Sequence, residues 1–121
     1  MLRVFRAGKF YVLETYDFTD KLRGTVGSEE DLKKVIAYIG RLADRIPNRK
    51  EMWRHLGGNV YELKPKPYRV ACYKKGTYVV VFDVWRKSDK KGRDQRYIDM
   101  ALSKEGEIAH ELEKFIKGQK P

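Results

Sequence analysis

The stretch that decides the fold is YELKPKPYRVACYKKGTYVVVFDVWRKSDKK, residues 61–91. Strand-like runs rich in β-branched and aromatic residues lie at 60–64, 67–74 and 77–86, separated by KPKP and KKG. Such runs with short turns between them predict a three-stranded antiparallel meander. The third run, TYVVVFDVWR, is apolar at both odd and even positions, which indicates a central strand covered on both faces.

A strand and a helix are predicted before the meander. KFYVLETY (9–16) interleaves β-branched and aromatic residues with polar ones, which predicts a strand. SEEDLKKVIAYIGRLADRIPN (28–48) predicts a helix, with Ser28 as its N-cap and Pro47 at its end. Its apolar residues recur at helical spacing and form one stripe: Leu32, Val35, Ile36, Ile39, Leu42, Ala43 and Ile46.

The remaining segments predict shorter features and a second helix. Residues 17–28 are rich in turn formers, with room for a short helical turn. EMWRHL (51–56) predicts a short helical turn, and GGN (57–59) predicts a tight turn before the meander. A second helical region is predicted from near Asp94, with a possible interruption at Gly106.

Length and composition predict one globular domain over residues 1–121. The order strand, helix, three-strand meander, helix indicates a small α+β fold in which helices pack on an antiparallel sheet. No apolar run approaches the roughly 20 residues needed to span a bilayer, and MLRVFRAGKF lacks the apolar core of a secretion signal. Cys72 is the single cysteine, in a strand-like segment. We therefore expect a cytoplasmic protein with no membrane partner, no disulfide and a buried Cys72.

Positive charge is concentrated in the meander and the loop after it. The chain carries a net charge of +10. Residues 60–97 hold eleven Lys and Arg against four Asp and Glu, whereas residues 1–59 hold twelve against eight and residues 98–121 four against five. This distribution favours a polyanionic partner such as nucleic acid, although an anionic membrane surface also fits the charge.

The cations of the meander lie at strand ends. Lys64 closes the first strand, Arg69 opens the second, and Arg86 and Lys87 follow the third. Because an antiparallel meander brings these three ends to one edge of the sheet, we predict a phosphate-binding concavity there. Further cations are expected to contribute RNA contacts: Lys66, Lys90, Lys91 and Arg93. The alternative is a solvated rim of charged loop residues on a basic protein.

Several short features occur in a fixed order over residues 55–104. They are a Leu-Gly turn, the strand Tyr61-Glu62-Leu63-Lys64, the strand start Tyr68-Arg69, an apolar strand ending in Arg86-Lys87, a Lys-rich loop, and a helix with Ala101. In this order they resemble the RelE/ParE toxin superfamily, and most closely its HigB-like branch.

The resemblance implies a single RelE-like toxin domain of a type II toxin–antitoxin system. It implies a ribosome-dependent endoribonuclease that cuts mRNA during translation and is held inactive by a cognate antitoxin protein. By the same resemblance, Lys64, Arg69 and the Arg86-Lys87 pair match the basic active-site positions of the family. Two alternatives stay open: a gyrase-inhibiting toxin of the ParE branch, and a non-catalytic RNA- or DNA-binding module.

The chemistry of RNA cleavage assigns a candidate role to each residue. The RNA 2′-hydroxyl can attack the adjacent phosphate if the site supplies a base, cations for the charge on phosphorus, and an acid for the leaving oxygen. This chemistry requires no metal or other cofactor. Lys64 is the candidate base or phosphate ligand, because neighbouring cations lower a lysine pKa. Arg69 would clamp the transition state, and Arg86 or Lys87 would protonate the leaving group or bind phosphate. Tyr97 would stack on a base, assist proton transfer, or simply pack.

The chain has two histidines, His55 and His110. Histidine is a frequent acid or base near neutral pH, and His55 precedes the LGGN turn near the predicted basic cluster. His110 lies on the last predicted helix. Their separation argues against a histidine-based metal site, and carboxylates such as Asp83 and Asp89 lie within a basic patch that offers few further ligands.

Overall fold

The structure of the protein, a computed structural model, describes residues 1–119 apart from the side chain of Lys91. The strands are β1 (Leu2–Ala7), β2 (Tyr11–Thr15), β3 (Trp53–Gly57), β4 (Val60–Leu63), β5 (Tyr68–Lys75) and β6 (Tyr78–Arg86). The helices are α1 (Phe18–Thr25), α2 (Glu29–Arg41), α3 (Lys91–Ser103) and α4 (Glu105–Gln119). Together they form a small α+β domain, as the sequence predicts.

One sheet contains all six strands of the described residues, in the order β1-β2-β6-β5-β4-β3. The predicted meander is confirmed, since β4, β5 and β6 are sequential antiparallel neighbours. The sheet is mostly antiparallel, as predicted, and contains one parallel pair, in which β2 runs alongside β6 from Tyr11–Tyr78 to Glu14–Val81. The β1–β2 hairpin is thereby added to the edge of the meander through a non-local contact.

The prediction of a helical turn at 51–56 is wrong, because this segment forms the edge strand β3. Trp53 lies opposite Leu63 and Arg54 lies opposite Glu62 in the ladder with β4. Such alternation of side chains between two faces belongs to a strand. The tight turn predicted at 57–59 is confirmed, and Gly58 has a φ of 51°, which glycine adopts without strain.

The helices differ from their predicted limits. Residues predicted as turn-rich contain the complete helix α1. Ser28 is the predicted N-cap of α2, and its Oγ accepts a hydrogen bond from the Asp31 N–H at 3.1 Å. This helix ends at Arg41 rather than near Pro47, because the chain tightens into i→i+3 turns and the Ala43 carbonyl accepts the Phe10 N–H at 3.0 Å.

The predicted C-terminal helical region is divided into α3 and α4 at Lys104, two residues before Gly106. Within the described part of the chain, no helix combines the length and the apolar character needed to cross a bilayer.

The core lies on both faces of the sheet, as predicted for a covered central strand. Val79 and Val81 of β6 pack with α1 and α2, whereas Val80 and Phe82 pack with α3 and α4. All four are at most 1% exposed, and full burial of such a side chain stabilises the fold by about 1.5–3 kcal/mol. Cys72 is buried on the α1/α2 side, as expected, and burial raises the pKa of its thiol far above the ordinary value.

Candidate nucleic-acid interface

One end of the meander gathers cations from four neighbouring strands around Glu62. The carboxylate oxygen Oε1 of Glu62 lies 3.3 Å from Arg54 Nε, 3.9 Å from Lys64 Nζ and 3.9 Å from Arg69 Nε. Lys87, which follows β6, is close enough to act on the charge of Lys64. We call Arg54, Glu62, Lys64, Arg69 and Lys87 the Glu62 cluster. It lies on the face of the sheet that carries α3.

Glu62 is buried at the centre of this cluster, with 1% of the residue exposed. Its second oxygen, Oε2, is also buried and has no hydrogen-bond partner among the described residues. Burial raises the pKa of the Glu62 carboxyl group, and the positive charges of Arg54, Arg69 and Lys64 oppose that rise. Burial therefore disfavours the ionised form of Glu62, and the neighbouring cations favour it.

The amine of Lys64 is also perturbed. Burial lowers the pKa of Lys64, and the positive charges of Arg54, Arg69 and Lys87 lower it further, while Glu62 opposes them. The side chain keeps 17% of its surface exposed, so the amine is accessible from solvent. A lowered pKa increases the neutral fraction of the amine at a given pH, which suits a lysine to accept a proton.

Arg69 is buried, although charged residues at strand ends are usually exposed. It lies opposite Trp85 in the β5–β6 ladder and is 5% exposed. Its Nη1 donates to the Tyr68 carbonyl at 3.0 Å. Its charge therefore acts on the cluster from within the protein, on the side of the sheet that α3 covers.

Arg86 and Lys87 are adjacent in sequence and lie in different surroundings. The Arg86 guanidinium lies 5.7 Å from the ring centroid of Tyr68, whose hydroxyl donates to Asp31 Oδ2 at 3.2 Å. This contact lies toward α2. Lys87 is exposed, and its N–H donates to the Pro67 carbonyl at 2.8 Å. Because the charge of Lys87 acts on Lys64, whereas Arg86 lies over Tyr68, we assign Lys87 and not Arg86 to the Glu62 cluster.

A groove of ≈ 830 Å³ continues from Lys87 along the end of β6. It exists because β2 pairs with β6 only as far as Val81, which leaves a space between α1 and α3. Five cations line it: Lys21, Arg86, Lys87, Arg93 and Lys104. Lys104 lies 3.7 Å from the carboxylate of Asp83. A basic groove of this kind matches the backbone of a single nucleic-acid strand.

Tyr97 provides an aromatic surface in the groove. Its ring stacks on Trp85, with centroids 5.4 Å apart and an angle of 3° between the planes. Trp85 is buried and donates its Nε1–H to Asp94 Oδ1 at 2.9 Å, which fixes the ring beneath Tyr97. Tyr97 is 36% exposed, so a nucleobase can stack on its other side.

The other predicted RNA-binding lysines lie outside the cluster. Lys66 is exposed in the β4–β5 turn, where its carbonyl accepts a hydrogen bond from Lys34 Nζ at 2.7 Å. Lys90 is exposed at the N-cap of α3. The side chain of Lys91 lies outside the described part of the structure.

The histidines are separate from the Glu62 cluster. His55 Nε2 lies 2.7 Å from the Gly58 carbonyl, and its ring contacts Tyr61 on the opposite face of the sheet from Glu62. His110 is exposed on α4. Within residues 1–119, no three His, Cys, Asp or Glu side chains are grouped as a metal site.

Comparison with known proteins identifies the family. Residues 27–104 match the family described as phage-derived protein Gp49-like (DUF891). The chain belongs to the Gp49-like family. Proteins of this family are associated with toxin–antitoxin systems. A protein of Aquifex aeolicus (strain VF5), whose name assigns no function, is 37% identical over 105 residues, which cover 77% of this chain and 73% of the relative.

The Gp49-like match corrects the resemblance to the RelE/ParE superfamily and its HigB-like branch. The Gp49-like family is distinct from RelE/ParE. The features behind the resemblance are short, and each alone, such as a Leu-Gly turn or a basic pair after a strand, is unspecific. The Gp49-like match spans α2 to α3 and therefore includes all five residues of the Glu62 cluster.

Sequence reasoning missed two residues of the cluster. Arg54 has no predicted role because 51–56 is predicted as a helical turn. The alternation Trp53-Arg54-His55 is the signal in the sequence that favours a strand. Glu62 received no role, although it is the one acidic residue between Val60 and Arg69. An acid isolated among cations on a strand is the signal of a buried ion pair.

Proposed function

We propose that this Gp49-like protein is a toxin that cuts mRNA on the ribosome by a metal-independent mechanism, and that a cognate antitoxin protein inhibits it. The observation that carries the proposal is the Glu62 cluster, in which four strands deliver cations to one end of the sheet. The association of the family with toxin–antitoxin systems supports the biological role.

The proposed reaction is attack of the RNA 2′-oxygen on the adjacent phosphorus. A bond forms between the 2′-oxygen and phosphorus, and the bond from phosphorus to the 5′-oxygen breaks. The products are a 2′,3′-cyclic phosphate and a 5′-hydroxyl. The neutral amine of Lys64 takes the proton of the 2′-hydroxyl, and the ammonium of Lys87 gives a proton to the leaving 5′-oxygen. Each proton transfer by a positioned group contributes about 10²–10⁴-fold to the rate.

Arginines of the cluster would stabilise the charge that develops on phosphorus. Arg54 has an exposed side chain and is the guanidinium best placed to contact the non-bridging oxygens. Arg69 is buried behind the cluster and would add its field without touching the substrate. Fixed positive charges of this kind favour the transition state because they need no rearrangement during the reaction.

The groove supports single-stranded RNA as the substrate. Tyr97, which rests on Trp85, offers a stacking surface to a base, and such stacking contributes about 1–3 kcal/mol per base. Bases in a duplex are already stacked on their neighbours and are not free to make this contact. The cations along the groove would follow the phosphates on either side of the cut.

The test is cleavage of a defined mRNA in a purified translation system, with parallel reactions that lack ribosomes. New 5′ ends are mapped and checked for a hydroxyl by direct phosphorylation with a kinase. We expect 5′-hydroxyl ends that appear only with translating ribosomes. RNA binding without cleavage in both reactions would contradict the proposal and favour a non-catalytic binding module. New ends that carry a 5′-phosphate would exclude the mechanism.

A further inference from the structure

We propose that Glu62 is a positioning residue of this site, which gathers the cations of the cluster so that they meet one RNA phosphate; this inference rests on the proposed function. Glu62 contacts cations from three elements: Arg54 on β3, Lys64 at the end of β4, and Arg69 on β5. Arg54, Lys64 and Arg69 are well separated in sequence and lie on different strands or at their ends. The single carboxylate is therefore what joins them.

The surroundings of Glu62 differ from those of a carboxylate that only stabilises the fold. Glu14 on β2 is similarly buried, at 7% exposure. It accepts a hydrogen bond from the Thr19 hydroxyl at 2.9 Å and one from Arg3 Nη2 at 3.5 Å. Glu62 instead has three cations around one oxygen, and its second oxygen is buried without a described hydrogen-bond partner. A buried polar atom without a partner is costly and calls for an explanation, of which a role at a functional site is one.

Charged groups surround Glu62 and the lysine beside it. The groups that act on Glu62 are Arg54, Lys64, Arg69 and, on α3, Asp94, and the fifth group, Lys87, acts on Lys64. Four of the five are cations, so without the negative charge of Glu62 they would repel one another. The pKa of Lys64 should change most. Burial and its three cationic neighbours already lower this pKa, and Glu62 is the group that opposes them.

The decisive experiment is a titration of the Lys64 amine by NMR in protein labelled with ¹³C-lysine, with the signal assigned by Lys64→Arg. We compare the unmodified chain, Glu62→Gln, and the matched control Glu14→Gln. The pKa of Lys64 should fall in Glu62→Gln and stay unchanged in Glu14→Gln. Glu62→Asp, which keeps the charge, should restore most of the unmodified value. An equal Lys64 pKa in the unmodified chain and Glu62→Gln would overturn the proposal.

The pH dependence of RNA cleavage provides the second readout. If neutral Lys64 is the base, the rising limb of the profile moves to lower pH in Glu62→Gln. If protonated Lys64 binds phosphate, the falling limb moves to lower pH. The direction is the same in both cases, and the size should equal the change in the NMR titration. A profile that does not move would overturn the positioning role.

The two proposals fail in distinguishable ways. If the unmodified chain cuts no RNA under any condition, the proposed function is wrong, while the lysine titration still decides whether Glu62 organises the cations. If the unmodified chain cuts RNA and Glu62→Gln shifts neither the titration nor the profile, only the role of Glu62 is wrong. Thermal unfolding of each variant shows whether the fold is intact. If Glu62→Gln does not fold, Glu62→Met replaces it, because Met also removes the charge and fills the buried space with apolar atoms.

Discussion

The two faces of the sheet differ at the end of the meander where the strands β4, β5 and β6 meet. On the α3 face, Lys64 and Arg69 converge on a buried carboxylate that leaves one oxygen without a described partner. On the α2 face, the ring of Tyr68 is buried, its hydroxyl donates to Asp31, and Arg86 lies over it. The first face concentrates cations around a buried carboxylate, whereas on the second an exposed guanidinium lies over an aromatic ring.

This difference teaches that position along a strand decides what a cation can do. Consecutive side chains of a strand point to opposite faces, so two neighbouring basic residues enter different environments. Net charge reveals that a basic surface exists, but only the strand register separates the cations of the Glu62 cluster from those of the opposite face. Substitutions on the two faces should therefore differ in their effects.

Lys64→Ala should have the largest effect on cleavage. Removal of the proposed base should lower the rate by about 10³-fold, within the range typical of a general base. The matched control is Lys66→Ala, which removes an exposed lysine of the adjacent turn and should stay within about threefold, as expected for one screened charge. Both rates come from the same mRNA cleavage assay. Equal losses in the two variants would show that Lys64 has no special role in cleavage, which would contradict the assignment of the site to the Glu62 cluster.

Arg69→Ala should have the largest effect on stability. It leaves the buried Glu62 with one cation fewer, and such a break in a buried pair costs about 3 kcal/mol. Arg86→Ala on the other face removes an exposed side chain and should cost at most about 0.5 kcal/mol. Urea unfolding measures both. If Arg69→Ala unfolds at the same urea concentration as the unmodified chain, Arg69 does not hold the cluster.

Tyr97→Ala should have a smaller effect, confined to binding. Loss of one stacking surface should weaken the affinity for single-stranded RNA by about tenfold, which corresponds to about 1.4 kcal/mol. Tyr97→Phe keeps the ring on Trp85 and should bind and cleave like the unmodified chain. Fluorescence anisotropy with a short labelled RNA measures the affinity. If Tyr97→Phe binds normally but cleaves slowly, the hydroxyl takes part in proton transfer and the stacking role is incomplete.

The sequence predicts the local parts of this fold better than its long-range contacts. The strands β4, β5 and β6 are evident because each is a β-rich run bounded by turn residues, and Ser28 marks the start of α2 by its capping chemistry. The parallel pairing of β2 with β6 joins residues that are 67 positions apart along the chain, and no local pattern encodes such a contact. The sequence does not predict β3, because WRHLG contains no β-branched residue and only one Trp, Tyr or Phe.

The candidate site also combines local features, which the sequence predicts, with long-range contacts, which it does not. The convergence of Lys64 and Arg69 follows from meander geometry alone. The burial of Arg69 does not, because it depends on α3 covering that end of the sheet. Arg54 depends on the strand β3, and the role of Glu62 depends on all three neighbouring cations being present. These features appear only once the strands and helices are assembled.

The most direct test of the central claim, that the reactive site belongs to the α3 face, compares Lys87→Ala with Arg86→Ala. Both are single losses of a cation at adjacent positions, and kcat and KM for mRNA cleavage are measured for each. Lys87→Ala should lower kcat by about 100-fold, as loss of a general acid does, whereas Arg86→Ala should raise KM with kcat within about twofold. Equal losses of kcat, or a larger loss in Arg86→Ala, would contradict the assignment of the site to that face.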